Sequence, residues 1–264
     1  MPTIAILSSN ARRHNFLVNS FAKRFTVVGL VREAKENAQK RSEIETEKTI
    51  MDEHLCDRDA AEETYFADHA DVVISPDDTY TMPREGANSR EVFEWIKTRN
   101  PEYIVLFGTS IIKNPLLSFY EKRILNMHLG LSPYYRGSGT NFWPLVDTLP
   151  ECVGTTIHLA TPAVDAGAIL TQIRPASAVN DTCHSLGCKT IIAGTENYID
   201  ALLAYHEGTC IPMVQDLSFG KVFRRRDFCD DAVKKMRKNF ADGMMKTYTE
   251  NKNERDAKYP IISM

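Results

Sequence analysis

The chain has 264 residues, of which 43% are hydrophobic and 25% charged, and its net charge is −3. That length supports one large domain, or a domain with a small appendage, whose core needs no metal or disulfide staple. The charge balance argues against a general nucleic-acid binder, no apolar run reaches the ~18 residues of a membrane span, and the N-terminus lacks the charged-then-apolar order of a secretory signal.

In chain order, Thr3-Ile4-Ala5-Ile6-Leu7-Ser8-Ser9 predicts a short buried strand. Phe16, Leu17, Val18, Phe21 and Ala22 recur with helical spacing, and residues 25–31 form a β-branched second strand. Strand, helix, strand opens a βαβ unit. An α/β fold follows, Rossmann-like, with a mostly parallel sheet and helices on both faces. Residues 32–64 are dense in charge, and Ile44, Met51 and Leu55 make one narrow helical stripe. An exposed helical insertion or a partly mobile loop is expected there, with a lid or partner-binding helix as the other reading.

Ala70-Asp71-Val72-Val73-Ile74 is a third strand candidate, followed by a polar loop from Ser75 to Asn88. Val92, Phe93, Trp95 and Ile96 mark a helix. Residues 103–108 form a strong central strand, and residues 123–128 another. Open α/β sheets place ligands beyond the carboxyl ends of their strands, so those two ends come first in a search for chemistry. Residues 131–140 are rich in turn formers. Residues 153–159 and 168–173 predict a strand pair around an apolar loop holding one carboxylate, Asp165. Residues 183–205 read as a helix, residues 222–223 as a last short strand, and residues 233–245 as a further helix.

Six cysteines stand at 56, 152, 183, 188, 210 and 229. Cys183-His184-Ser185-Leu186-Gly187-Cys188 comes nearest to a metal pattern. Its five-residue spacing keeps the two sulfurs off one helical face, and no second pair follows. Free thiols of a reducing cytoplasm are expected, and no metal.

Asn126 and His128 are two residues apart on a strand, so both side chains leave the same face. An amide can donate to a developing oxyanion, and an imidazole can move a proton. A structural histidine beside a turn is the alternative. Asp165, between apolar neighbours, should have a raised pKa where it is desolvated and can orient an imidazole or accept a proton, or serve only as a turn or cap residue.

Together these residues carry a resemblance. Asn126-Met127-His128-Leu129-Gly130-Leu131-Ser132-Pro133-Tyr134-Tyr135-Arg136-Gly137 resembles the Asn-x-His signature of the folate-dependent formyltransferases. Gly154-Thr155-Thr156-Ile157-His158 is similar to their Gly-x-Thr-x-His strand, and Val164-Asp165-Ala166-Gly167-Ala168-Ile169-Leu170 to their Asp-x-Gly loop. The resemblance implies the formyltransferase fold over residues 1–228, with the charged insertion inside it and a helical extension at 229–264. It also implies N10-formyltetrahydrofolate as cosubstrate and Asn126, His128 and Asp165 as a catalytic triad. Asn126 and His128 would bind the oxyanion, and Asp165 would hold His128. Phe107, Gly108, Ser110, Ile111, Ile112, Ala160, Thr161 and Val164 match the positions that hold the pterin.

The acceptor is read from departures within that resemblance. Ser8-Ser9-Asn10-Ala11-Arg12-Arg13-His14 replaces the glycine-rich phosphate loop of glycinamide ribonucleotide transformylases. The length after Gly220 is short for the extra domain of methionyl-tRNA formyltransferases, and no segment before Thr3 matches the regulatory domain of formyl-folate hydrolases. The segment through Thr140-Asn141-Phe142-Trp143-Pro144 is similar to sugar-nucleotide N-formyltransferases such as the GDP-perosamine enzymes. A nucleotide-linked 4-amino-4,6-dideoxyhexose is therefore the expected acceptor, held by Arg12, Arg13, His14, Tyr134, Tyr135, Arg136, Gly137 and Asn141. The alternatives are glycinamide ribonucleotide as acceptor, or a folate or sugar-nucleotide binder without catalysis. A homodimer is a further expectation; a nucleic-acid or membrane partner is not.

Overall fold

The computed structural model describes residues 1–34 and 49–264. β1 (Thr3–Ser8), α1 (Arg12–Ala22) and β2 (Thr26–Glu33) form the opening βαβ unit. They are followed by α2 (Ile50–Tyr65), β3 (Thr79–Met82), α3 (Arg90–Arg99), β4 (Tyr103–Phe107), α4 (Leu116–Phe119) and β5 (Ile124–His128). Next come β6 (Tyr135–Gly137), α5 (Trp143–Val146), β7 (Thr155–Leu159) and β8 (Ile169–Ile173). The chain continues through α6 (Cys183–His206), β9 (Lys221–Phe223), α7 (Asp230–Ala241), α8 (Met244–Glu250) and α9 (Lys252–Ala257).

Seven strands make one sheet in the order β3-β2-β1-β4-β5-β7-β8. β1 to β5 are parallel, and β7 and β8 each run antiparallel to the strand before them in that order. This is the mostly parallel α/β sheet expected from the βαβ opening. The chain builds outward from β1 to β3, then crosses to β4 on the other side of β1. That reversal creates a crevice at the carboxyl ends of β1 and β4, where open α/β sheets bind ligands.

Strand alternation sorts the core into two layers. Ile4, Ile6, Val105, Phe107, Leu125 and Met127 pack with Leu17, Val18 and Phe21 of α1 and with Ile191, Tyr198 and Leu202 of α6. Ala5, Leu7, Ile104, Leu106 and Ile124 face the other way, onto Val92 and Ile96 of α3 and Leu116 of α4. Each buried valine, leucine, isoleucine, methionine or phenylalanine among them contributes about 1.5–3 kcal/mol by leaving water. The fully buried Tyr198 stays satisfied because its hydroxyl donates to the Leu125 carbonyl at 2.6 Å and accepts from the Leu106 N–H at 3.3 Å.

A third apolar cluster joins Met51 of α2, Leu145 and Val146 of α5, Val233 and Met236 of α7, and Met244, Met245 and Tyr248 of α8. Residues 230–257 thus pack onto the rest of the chain through apolar side chains.

Several expectations need correction. Residues 70–74 form no strand. The Asn15 amide donates to the His69 and Ala70 carbonyls, and Asn19 donates to the Asp71 carbonyl while accepting from the Val73 N–H. Two side chains of α1 satisfy this backbone, so it lies over the helix and has no need of the sheet. The third strand is instead Thr79–Met82, within the expected polar loop, and it pairs with the edge of β2. Its short length and single partner leave no hydrophobic run to detect.

Residues 50–65 are helical as expected, but one face is buried. Met51, Asp52, His54 and Glu62 point inward, and Thr49 and Asp52 form a reciprocal N-cap. Polar side chains do much of this packing, and a hydrophobic stripe cannot register them. Ile44 lies outside the described residues. The expected 233–245 helix is two helices, broken at Gly243, whose φ of 84° ends the α-helical path. β6 was hidden in the turn-rich stretch and pairs in parallel with β9.

Candidate active site

β5 ends at His128, beside the crevice, and carries Asn126 and His128 on one face. β7 pairs with it so that His158 stands directly opposite Asn126. The loop after β7 then folds back. A Cβ on Gly167 would lie 1.7 Å from the Leu159 carbonyl oxygen, so only glycine permits this closure. The fold-back places Asp165 in a left-handed conformation, φ 47°, which aspartate tolerates better than most residues.

Asp165 is the hub. Its Oδ2 lies 3.2 Å from His128 Nδ1 and accepts the Gly137 N–H at 2.9 Å. Its Oδ1 lies 3.5 Å from His158 Nε2. His158 Nε2 in turn lies 3.0 Å from the Asn126 amide nitrogen. The three side chains named from sequence therefore gather, but Asn126 reaches the carboxylate through His158. That histidine was visible in the Gly-Thr-Thr-Ile-His motif and was read only as part of a strand.

The partners assign the protons. His128 Nε2 is 3.0 Å from the Tyr135 carbonyl, which can only accept, so this nitrogen carries a hydrogen. Nδ1 faces the Asp165 carboxylate at 3.2 Å, a contact that becomes a hydrogen bond when this nitrogen takes up the ring's second proton. By the same logic His158 Nδ1 donates to the Leu159 carbonyl at 2.9 Å, and its Nε2 accepts from Asn126. Burial of His128 disfavours its charged form, with Asp165 pulling the other way. Burial by itself would raise the Asp165 carboxyl. Imidazoles that carry a proton toward it, together with the Gly137 N–H, outweigh burial and hold it well below the usual carboxylate range. An ionised carboxylate thus faces two imidazole nitrogens that can each take a proton.

This geometry corrects one expectation. The His128 Nε2–H is committed to Tyr135, with Thr140 Oγ1 at 3.2 Å, so it is not directed at an oxyanion. Asn126 keeps a second amide hydrogen, and it is half-buried rather than sealed.

The loop after β4 begins at Gly108, φ 72°. Phe107 and Ile112 are buried, whereas Ile111 is exposed. Ser110 is fixed by Glu33 at the end of β2, which accepts from its N–H at 2.7 Å and its hydroxyl at 2.6 Å. Glu33 also accepts from the Glu85 N–H. Nothing in the sequence singled out Glu33, one charge in a charged stretch. Across the sheet edge, Ala160 donates its N–H to the Ile124 carbonyl at 2.8 Å, Thr161 bonds the Ala163 carbonyl, and Val164 is exposed.

Most of the expected acceptor-binding side chains are occupied elsewhere. Arg12 pairs with Glu63 at 2.9 Å and Arg13 with Glu62, both on α2. His14 is buried with its ring 4.9 Å from that of Phe107. Tyr135 is buried and donates to Asp147 at 2.8 Å. Asn141 accepts the Gly154 N–H at 3.0 Å, and Tyr134 donates to the Pro260 carbonyl at 2.9 Å. These residues shape the fold around the site, and sequence spacing could not reveal their partners. Arg136 and Gly137 do stand at the site, in β6, whose partner β9 leads into exposed Arg224, Arg225 and Arg226. Two surface cavities, of 400 and 410 Å³, contain none of Asn126, His128, His158 or Asp165. No described helix is long and apolar enough to cross a membrane.

The family model described as formyl transferase matches residues 25–202. A methionyl-tRNA formyltransferase of Caldanaerobacter subterraneus subsp. tengcongensis is 29% identical over 135 residues, 51% of this chain and 43% of that protein. The chain thus matches less than half the length of that relative. The solved phosphoribosylglycinamide formyltransferase of Anaplasma phagocytophilum superposes with a TM-score of 0.57 at 14% identity, over 85% of this chain and 98% of that one. A sugar N-formyltransferase from a Shewanella species gives 0.54 at 18% identity, over 86% and 78%. The N-formyltransferase of Helicobacter canadensis, solved with folinic acid and dTDP-3-aminofucose, gives 0.52 at 15% identity, over 87% and 73%. At these identities the likeness is one of fold, and that fold serves two kinds of acceptor.

Proposed function

The chain belongs to the formyl transferase family, and from that premise we propose that it moves the formyl group of N10-formyltetrahydrofolate onto the amine of a nucleotide-linked amino sugar. The observation that carries formyl transfer is the Asp165 hub, with its carboxylate against His128 and His158 and with Asn126 beyond. The acceptor amine attacks the formyl carbon, and the carbonyl oxygen gains negative charge. The free N–H of Asn126 meets that oxyanion. Asp165 receives the proton lost by the amine and shares it with His128 Nδ1, 3.2 Å away. The same proton then goes to the departing folate nitrogen. The loop from Gly108 to Ile112, fixed by Glu33, and the segment from Ala160 to Val164 hold the pterin.

The sugar-nucleotide acceptor is supported by where positive charge is free. Arg12 and Arg13 are neutralised by α2, so the start of α1 offers no free guanidinium to a terminal phosphate. Exposed Arg224, Arg225 and Arg226 instead follow Phe223, the ladder partner of Gly137, whose N–H bonds Asp165. A diphosphate docked there sets a sugar amine beside the carboxylate. The Helicobacter canadensis protein, solved with a nucleotide-linked amino sugar, shares the fold. The six cysteines are free, the condition of a reducing cytoplasm where folates circulate. A 4-amino-4,6-dideoxyhexose such as that of GDP-perosamine is the first candidate.

The test is tetrahydrofolate release by the purified full chain. It is offered N10-formyltetrahydrofolate with GDP-, dTDP- and UDP-linked amino sugars, glycinamide ribonucleotide, and methionyl-tRNA. Turnover on a nucleotide sugar supports the proposal. Turnover confined to glycinamide ribonucleotide or to the tRNA moves the chain to that acceptor, and folate binding without turnover on any amine overturns the enzymatic reading.

A further inference from the structure

His54, Cys183 and His184 come from two helices that are far apart in sequence, yet their ligating atoms all lie within 4.8 Å of one another. Cys183 and His184 open α6, and His54 projects from α2. His54 is buried, only 6% exposed. Its ring centroid lies 4.5 Å from that of His184, and the rings of Phe142 and Phe228 lie 5.5 and 5.7 Å away. None of the three side chains makes a hydrogen bond among the described residues. One buried imidazole, with a second imidazole and a thiol half-buried beside it, is a clustering of ligating atoms that no hydrogen bond between these side chains accounts for.

We propose that His54, Cys183 and His184 bind a zinc ion that staples α2 to the start of α6. The donor set is right for zinc: two imidazole nitrogens and one thiolate are borderline-soft ligands of the type it prefers, and solvent completes a tetrahedron. Side-chain rotation brings atoms spaced as these are to the roughly 3.5 Å separation that metal bonds of about 2.1–2.3 Å impose. Burial keeps both imidazoles neutral at physiological pH, with values lowered to about 3 for His54 and about 4 for His184, and neutral imidazole is the ligating form. Burial also pushes the Cys183 thiol up to about 12, so zinc must displace its proton. Binding therefore forms one Zn–S and two Zn–N bonds and releases one proton to solvent. The positive end of α6 favours the resulting thiolate at its first residue.

Cys188, which its five-residue spacing keeps off the face of Cys183, packs in the core. The second imidazole comes from α2, which only the tertiary fold brings near. The three residues share no hydrogen bond or ring contact with Asn126, His128 or Asp165, so the ion is structural and independent of the acceptor. α2 also holds Arg12 and Arg13 through Glu63 and Glu62. Fixing α2 at its first half therefore anchors the helix that neutralises those arginines.

The test uses the full chain, stripped with chelator and reloaded with zinc alone or cobalt(II) alone. One zinc per chain after gel filtration is expected, with a rise in Tm. Cobalt should give tetrahedral d–d absorption and a thiolate charge-transfer band. Cys183→Ser should abolish the charge-transfer band. Each of Cys183→Ser, His54→Gln and His184→Gln should weaken zinc binding by more than about 100-fold, beyond the usual cost of losing an outer-shell partner. Cys56→Ala/Cys229→Ala, which removes the two exposed thiols, should change neither. As a measurement on the unaltered protein, zinc should protect Cys183 from alkylation, as mapped by mass spectrometry. No retained zinc, a cobalt band that survives Cys183→Ser, or alkylation of Cys183 unaffected by zinc overturns the proposal.

Discussion

His158 stands directly across the β5–β7 ladder from Asn126, with its Nε2 3.0 Å from the amide nitrogen. The pair couples the end of one strand to the Asp165 loop that follows the other, because the same Nε2 lies 3.5 Å from the carboxylate. The Asn126 amide is thereby held by a side chain that can also take a proton.

Asn126→Ala should lower kcat about 10²–10³-fold, the usual loss for one oxyanion donor, with little change in either KM. Steady-state tetrahydrofolate release measures it. A KM effect alone would place Asn126 in substrate binding instead.

Asp165→Asn keeps the shape of the side chain and removes its charge. A loss of about 10²–10⁴-fold in kcat is expected from the missing proton acceptor. Single-turnover formyl transfer with saturating cosubstrate isolates the step, and a variant of unchanged rate would remove Asp165 from proton transfer.

Glu33→Gln should loosen the loop after β4, because a neutral amide accepts less strongly from the Ser110 N–H and hydroxyl. The expected result is a folate KM raised about 10-fold with kcat nearly intact, since losing a hydrogen bond to a charged group costs about 1.5–3 kcal/mol. Folate-analogue titration checks it independently of turnover.

Arg225→Ala/Arg226→Ala should raise the acceptor KM and flatten its dependence on salt, because exposed guanidinium groups act through screened attraction to phosphate. The folate KM should not move. Kinetics across a series of ionic strengths decide the matter.

Stability should fall as acid is added. Burial holds His54 at about 3 and His184 at about 4 in the folded state. An unfolded imidazole binds its proton near 6.5, so below about that pH the unfolded chain takes up protons that the folded chain refuses. Stability is complete above the unfolded value and is lost from there down to the folded values. Urea midpoints of metal-free protein at about pH 7.5 and about pH 5 should show the drop, and His54→Gln should make it shallower.

Much of this molecule was legible before folding. Short apolar runs marked β1, β4 and β5, and the motifs around Asn126, His128 and Asp165 named three members of the hub. The readings that failed share a cause. The segment after α2 resembled a strand by its valines and isoleucine, but Asn15 and Asn19 had already satisfied its backbone. Arg12 and Arg13 resembled phosphate ligands until α2 supplied Glu63 and Glu62.

Local pattern determined most of the strands of the central sheet and the chemical types at the site, because backbone geometry and burial act over a few neighbouring residues. The tertiary structure decided which nitrogen of His128 faces Asp165, that His158 joins the hub, and that His54 meets Cys183 and His184. Those are pairings between groups brought together by sheet order and helix packing. A hydrogen bond or metal bond depends on separations of a few ångströms that no residue's own neighbourhood contains.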